Sequence, residues 1–343
     1  MSNKDVSKNV LGFVLIDAPH SALNMGQADT NEADENKIPV KFIRRGRDIY
    51  PYVSAQAWRY WWRETLETKF KWQMSPTKRE KKIVYTSANP FVFPDDDVFG
   101  YMRAMSEAKG GTLTRLSPLK TSPLISVFPQ SPTEDFGVMS RDEGNPVPHV
   151  HQFYSTVLKG IFSLDLTSVG LFYEVNRTGF KNLDEKYVAT AEIEKAIKDI
   201  EAYKVDNLGW RIPKNVREQR AADTISALSY LFGGAKQTLH LTDVTPKFII
   251  LSIIKGGNHI FMNITSKDSN TIINVNALEA VISDYKDELI SDIFIGRQVG
   301  FLDNLEPTLS EFKMRINEKK KIHLLSPKQA IEEFIKVIAD HLD

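Results

Sequence analysis

The chain of 343 residues contains no cysteine. That removes disulfides, thiolate zinc sites and cysteine nucleophiles together, and it suits a cytoplasmic protein. No long apolar run is present near the start: Leu11 to Ile16 is cut short by Asp17. Such a run is too short for a signal-peptide core and far too short to span a bilayer. A Gly-rich phosphate fingerprint and a Gly-x-Ser-x-Gly elbow are both lacking, as are internal repeats. There is no surplus of charge either, since Lys+Arg and Asp+Glu each number 44. What remains, 42% hydrophobic and 26% charged, is the composition of an ordinary globular protein. The length allows two average domains or one with large insertions.

The even balance of charge hides an uneven distribution. From Lys37 to Lys82 there are thirteen Lys/Arg against four Asp/Glu. A local excess of this size points to a polyanion at one surface. A solvated helix face would explain it too, but four of the five tryptophans (Trp58, Trp61, Trp62, Trp72) lie in the same window.

Leu11–Asp17 reads as a buried strand, residues 18–37 as a long acidic loop, and Lys41–Arg45 as a second short strand. A helix is expected from about Ser54 to Lys71. Residues 112–150 hold six prolines and read as an exposed arm or extended hairpin, followed by a strand over His151–Leu166. A charged helix is expected at 184–204, and another at Val216–Phe232, stopped by Gly233 and Gly234. Lys247–Lys255 reads as a strand buried on both faces, and Ser326–Leu342 as an amphipathic helix with Ser326 and Pro327 at its start. The order strand–helix–strand–strand–helix–strand, heavily interrupted, fits an α+β fold with a ferredoxin-like βαββαβ core.

The segment Lys41–Glu67 carries the chemistry. With Ser54 as N-cap, Gln56, Arg59 and Arg63 fall on one narrow stripe, and Trp58, Trp61, Trp62 and Thr65 on the opposite side. Free amides at the helix start, the Ser54 hydroxyl and the helix dipole make an anion site. Arg59 and Arg63 are expected to extend it, and Lys41, Arg44, Arg45 and Arg47 precede it. This pattern predicts a cradle for a nucleic-acid backbone, which positions a strand without reading its sequence.

The same stretch resembles the guide-binding segment of Cascade backbone subunits, in the repeat-associated mysterious protein superfamily. Asn24, Lys41, the Arg45/Arg47 pair and Ser54-Ala55-Gln56 with Arg59 and Arg63 follow that family's order. Asp97 to Met102 resembles its Asp-x-x-Phe-Gly motif, Gln152-Phe153-Tyr154 the strand after its thumb, and Gly234 to Gln237 its Gly-Lys-Gln turn. Tyr50 to Val53 and the double tryptophan are similar to the DevR-type branch of type I-B systems. The match covers roughly residues 10–256.

The resemblance implies one hand-shaped domain with an RNA-recognition-motif-like palm (about 10–71, 112–121, 151–175 and 216–264). It implies fingers at about 72–111 and a thumb hairpin at about 122–150; the tail from Val275 on is not placed by it and is read as a C-terminal extension, 275–343. It further implies a protein that is not an enzyme and takes no cofactor, and that binds crRNA through Asn24, Lys41, Arg44, Arg45, Arg47, Ser54, Gln56, Arg59, Arg63, Lys236 and Gln237. The implied partners are other copies in a helical filament, the target DNA strand paired to the guide, and further Cascade subunits: the 5′-handle cap, the large and small subunits and the crRNA-processing subunit. Met25 stands where many relatives carry a basic residue, so one backbone contact is expected to be missing.

Three other constellations are weaker. His149-Val150-His151 reads as an incidental pair at the arm's base rather than a metal site, and Asp95-Asp96-Asp97 as a solvated turn. The acidic loop with Asp29, Asp34 and Glu35 leaves open a metal-dependent endoribonuclease of the type III kind.

Overall fold

The apolar run around Leu11 extends into a 14-residue strand, Lys8–Ser21. Its side chains alternate between two cores: Val10, Val14 and Ile16 feed one, Leu11, Phe13 and Leu15 the other. This strand is central in a computed structural model that describes residues 6–26, 37–80, 83–139, 147–177, 179–205, 208–266, 272–316 and 320–342.

On one side the central strand pairs antiparallel with a 19-residue strand, Val147–Asp165, and on the other with Phe248–Lys255. The long strand also pairs antiparallel with Leu119–Thr121 and Leu124–Ser126. Beyond Leu124–Ser126 come Asp48–Val53 and then Phe42–Arg45, which together form a hairpin. Beyond Phe248–Lys255 the sheet continues with Ile293–Arg297, antiparallel, and Ile322–Leu325, parallel.

One face of the sheet carries three helices: the tryptophan helix Ala55–Phe70, Lys214–Ser226 and Pro327–Ile338. Trp58, Trp62 and Thr65 are fully buried and Trp61 nearly so, as the helical spacing predicts. The Trp62 indole donates to Thr224 O at 2.7 Å, and its ring meets Phe162 edge-on at 5.1 Å. The opposite face is covered by Ile260–Asn263, Val275–Asp284 and Glu306–Ile316. The segment after residue 275, which the resemblance does not place, thus extends the sheet at one edge, adds Pro327–Ile338 to its first face and seals its second. A third, smaller core around Phe91, Phe172, Tyr187 and Ile212 lies within the insertions. No helix among the described residues is long and apolar enough to cross a membrane.

Several sequence expectations are corrected. The proline-rich stretch 112–150 is not wholly an exposed arm, because Leu119–Thr121 and Leu124–Ser126 add to the sheet between its prolines. The helix expected at 184–204 is instead Glu185–Val188 and Ala191–Asp199, followed by a strand at Tyr203–Val205. The helix near 216–232 starts at Lys214 and tightens to a 3-10 turn at Ala227–Tyr230. Asp48–Val53 is a strand despite Pro51, whose position lies beyond the two residues, Tyr52 and Val53, that pair with Leu124–Ser126.

The triple aspartate is not a solvated turn. Asp95, Asp96 and Asp97 are all buried, in the short helix Pro94–Phe99. Asp95 accepts from Ser75 N and Asp96 from Asn89 N, both at 2.9 Å, while Asp97 pairs with Arg115 and Arg220.

Candidate nucleic-acid interface

Ser54 caps the tryptophan helix as the sequence suggests, its hydroxyl accepting from Ala57 N at 3.3 Å. The cap is tied to a distant segment: Ser54 N donates to Asn24 Oδ1 at 3.0 Å, and Lys41 N donates to Asn24 O at 2.9 Å. Asn24 thereby joins the end of the first strand, the approach to the hairpin and the mouth of the helix. Gln56 is exposed on the first turn. The amides of Ala55 and Gln56 have no acceptor among the described residues.

The Gly-Lys-Gln turn packs against the same loop. Ala235 N donates to Leu23 O at 2.9 Å. A Cβ at Gly234, where φ is +103°, would lie 2.6 Å from Leu23 Cδ2, so only glycine fits. Lys236, also in the left-handed region (φ 53°), is half-buried. Gln237 is engaged at both ends: its amide nitrogen donates to Gly233 O and to Thr242 O (3.2 Å), and its oxygen accepts from Thr242 N at 2.9 Å. Its carboxamide is consumed in holding the turn.

Arg59 and Arg63, expected to extend the anion site, are engaged within the protein. Arg59 reaches inward, donating to Phe99 O at 3.0 Å, to Ser117 Oγ at 3.1 Å and to Leu119 O at 2.5 Å. Burial, and then the Arg63 guanidinium beside it, push Arg59 down to about 10. Burial also lowers Arg63, against the pull of Asp95 and Asp96. Both guanidiniums lie over the Phe99 ring, at 4.9 and 4.6 Å. The two arginines fasten the insertion that follows the helix instead of forming an open stripe.

The remaining arginines sit on the Phe42–Val53 hairpin, exposed and without an ion pair among the described residues. Arg44 lies over Phe42 and Arg45 over Tyr50, each at 5.0 Å from the ring centroid, and Arg47 follows Gly46 in the turn. Adjacent strand positions face opposite sides, so Arg44 and Arg45 cannot hold one phosphate between them.

Lys159, absent from the expected residues, is half-buried in the long strand and donates to Met262 O at 3.1 Å and to Thr265 Oγ1 at 3.4 Å. Its ammonium is lowered by burial and then by Arg45. A lone lysine inside the apolar run VLKGIF is the one signal of it in the sequence. Met25 forms a bridge to Val40 and presents no charge to this surface.

Thr133–Met139 pairs antiparallel with the first part of the long strand, from Thr133↔Phe153 to Met139↔Val147, as two arms of a hairpin, with Phe136 and Val138 exposed. Lys37–Ile38 runs parallel to its root at Val150–His151. Asp29, Glu32, Asp34 and Glu35 lie outside the described residues. Among the described residues no group of three or more His, Asp or Glu is placed to hold a metal.

Two solved structures share the fold at 10% identity. One, a "CRISPR RNA-guided surveillance complex, pre-nicking", has a TM-score of 0.59 over 96% of this chain and 100% of its own. The other, a "CRISPR RNA-guided surveillance complex", has a TM-score of 0.52 over 96% and 99%. No curated protein sequence matches. Residues 16–269 match the family model "CRISPR-associated negative auto-regulator DevR/Csa2", and the chain belongs to that family.

Proposed function

We propose that this protein is a non-catalytic backbone subunit that holds crRNA in a Cascade-type surveillance complex of the type I-B kind. One observation carries the reading: Asn24 joins Lys41 and Ser54 at the mouth of one helix, the turn that carries Lys236 is bonded to the adjoining Leu23, and the nearby hairpin bears three arginines without an ion pair among the described residues. The main-chain amides and cations there suit phosphates. A scaffold of this sort accepts many guides and leaves target choice to pairing of the guide with DNA.

The strand order supports a ferredoxin-like palm. Numbering only Lys8–Ser21, Leu119–Ser126, Val147–Asp165 and Phe248–Lys255 as one to four, the sheet runs 4-1-3-2 and is antiparallel throughout, with Ala55–Phe70 and Lys214–Ser226 on one face. The two paired arms, 133–139 and 147–153, are the candidate thumb, and the insertion packed around Phe91 and Phe172 the fingers. Other copies and the remaining Cascade subunits are the proposed partners, and the cytoplasm the proposed location.

The test is to co-express the protein with its genomic neighbours and sequence the RNA that co-purifies. A uniform population sharing repeat-derived ends is expected. A protein that purifies without nucleic acid, or with unselected cellular RNA, would overturn the reading. In the same preparation, replacing Asp29 and Asp34 is expected to leave RNA retention and target binding unchanged. Loss of an RNA-cutting activity on that change would favour an endoribonuclease instead.

A further inference from the structure

Four of the seven histidines gather at the root of the hairpin whose arms are 133–139 and 147–153. His149 and His151 point to the same face of the long strand, their rings 4.6 Å apart. His149 lies over Gly137, where a Cβ would come within 2.4 Å of its Nε2. His240, from the short helix Gln237–His240, packs on Phe153 at 5.6 Å, with His20 of the first strand beside it. Lys236 completes the group and faces both His151 and His240.

Among the described residues, one acid, Asp135, opposite His151 on the hairpin, is coupled to this group. Glu134, on the neighbouring register, is bonded to the Gln152 amide. The Nδ1 of His151 is buried with no hydrogen-bond partner. A metal does not explain the cluster, since the described residues hold no set of three ligands.

We propose that this histidine cluster is a further phosphodiester-binding site of the RNA path, one that fills with uptake of protons. The inference rests on the RNA-scaffold reading above and extends the contact surface from the helix mouth, through Lys236, onto the root of the hairpin. In the free protein, burial and then the neighbouring Lys236 and His149 hold His151 below its ordinary value, and burial and His20 do the same for His240. Near neutral pH, therefore, Lys236 supplies the site's charge and these rings stay neutral. A phosphate placed among them reverses the balance, because an anion favours the protonated ring. Binding then draws in protons, and affinity rises as pH falls. The imidazolium N–H groups that reach the surface become donors to the phosphate oxygens.

The experiment measures binding of a fluorescent single-stranded RNA by the full chain from pH 8 to pH 5.5 at fixed ionic strength. Phosphodiesters and bases do not titrate in that range. Wild type is expected to bind about tenfold tighter at pH 5.5 than at pH 7.5, the effect of roughly one proton taken up per site occupied. His151→Asn with His240→Asn is expected to match wild type near pH 8 and to lose most of the gain at low pH. Thermal melts at each pH establish that both proteins are folded. Calorimetry in two buffers of different ionisation enthalpy is expected to show proton uptake in wild type alone. RNA binding that is flat with pH, or a double variant that keeps the full pH dependence, overturns this proposal and leaves the scaffold reading intact. No binding at any pH brings down both.

Discussion

Asp97 and Arg220 stand 123 residues apart in the chain, and their side chains meet 2.8 Å apart in the interior. The other Asp97 oxygen pairs with Arg115, and Gly170 N donates to both oxygens at 3.1 Å. Arg115 also donates to Leu171 O and Ser168 O, and Arg220 to Pro90 O and Phe91 O. One carboxylate thus ties the short helix Pro94–Phe99 to the strand Leu113–Arg115, to the turn at Gly170 and to the helix Lys214–Ser226. Asp97→Ala leaves two buried guanidiniums without their counter-charge and is expected to cost about 3–5 kcal/mol. Urea unfolding measures it, and an unchanged midpoint would show the pair to be dispensable.

The neighbouring Asp96 sets a pH dependence. Burial pushes its carboxyl up to about 6, with the Asp95 charge adding to the rise and hydrogen bonds from Thr86, Ser75 and Asn89 opposing it. Unfolded, an aspartate titrates near ~3.9. Between those values the folded state keeps a proton that the unfolded state has lost, so this group's contribution falls as pH rises through the window. Above pH ~6 the full penalty applies, at most about 3 kcal/mol. Asp96→Asn cannot ionise. Its stability relative to wild type is expected to grow from pH 4.5 to pH 7 and then level off. A difference that stays constant with pH would refute the assignment.

The contrast between the two sides of the tryptophan helix shows where sequence suffices. The buried side is legible because Trp58, Trp61, Trp62 and Thr65 obey the helical repeat, and Ser54 announces the cap. The arginine side is not, because the acceptors for Arg59 belong to residues 40 to 60 positions downstream. Helical spacing shows which way a side chain leaves the helix, not what an insertion folds over it. The aspartates mislead for the same reason, since both partners of Asp97 arrive from other segments. Gln237 resembles a ligand-binding amide, but the left-handed turn it closes takes up both ends of its side chain. Ile293–Arg297 is only five residues long, and its partner strand ends 38 residues earlier, so no local period marks it.

Gly12 permits the aromatic packing under that helix. A Cβ there would stand 2.0 Å from Phe162 Cζ, in the ring that meets Trp62 edge-on. Gly12→Ala is expected to destabilise by about 1–3 kcal/mol through overpacking. Phe162→Leu, harmful alone, is expected to be less harmful in the Gly12→Ala background, because the two changes share one space. A double-mutant cycle by urea unfolding checks this, and strict additivity would place the clash elsewhere.

The hairpin arginines and the helix arginine are expected to fail in different ways. Arg44, Arg45 and Arg47 are exposed and unpaired among the described residues, so changing any of them to alanine should leave the melting temperature nearly unchanged. Each is expected to weaken RNA binding equally for unrelated sequences and to flatten the salt slope by about 0.7–1 for every phosphate no longer neutralised. Arg59→Ala removes the donor shared by Phe99 O, Ser117 Oγ and Leu119 O. It is expected to lower stability by roughly 1–3 kcal/mol and to keep the salt slope of wild type in protein that remains folded. Binding isotherms from 50 to 300 mM salt, read beside thermal melts, separate the two behaviours. Should Arg59→Ala flatten the slope while Arg44, Arg45 and Arg47 do not, the RNA runs along the helix and not the hairpin.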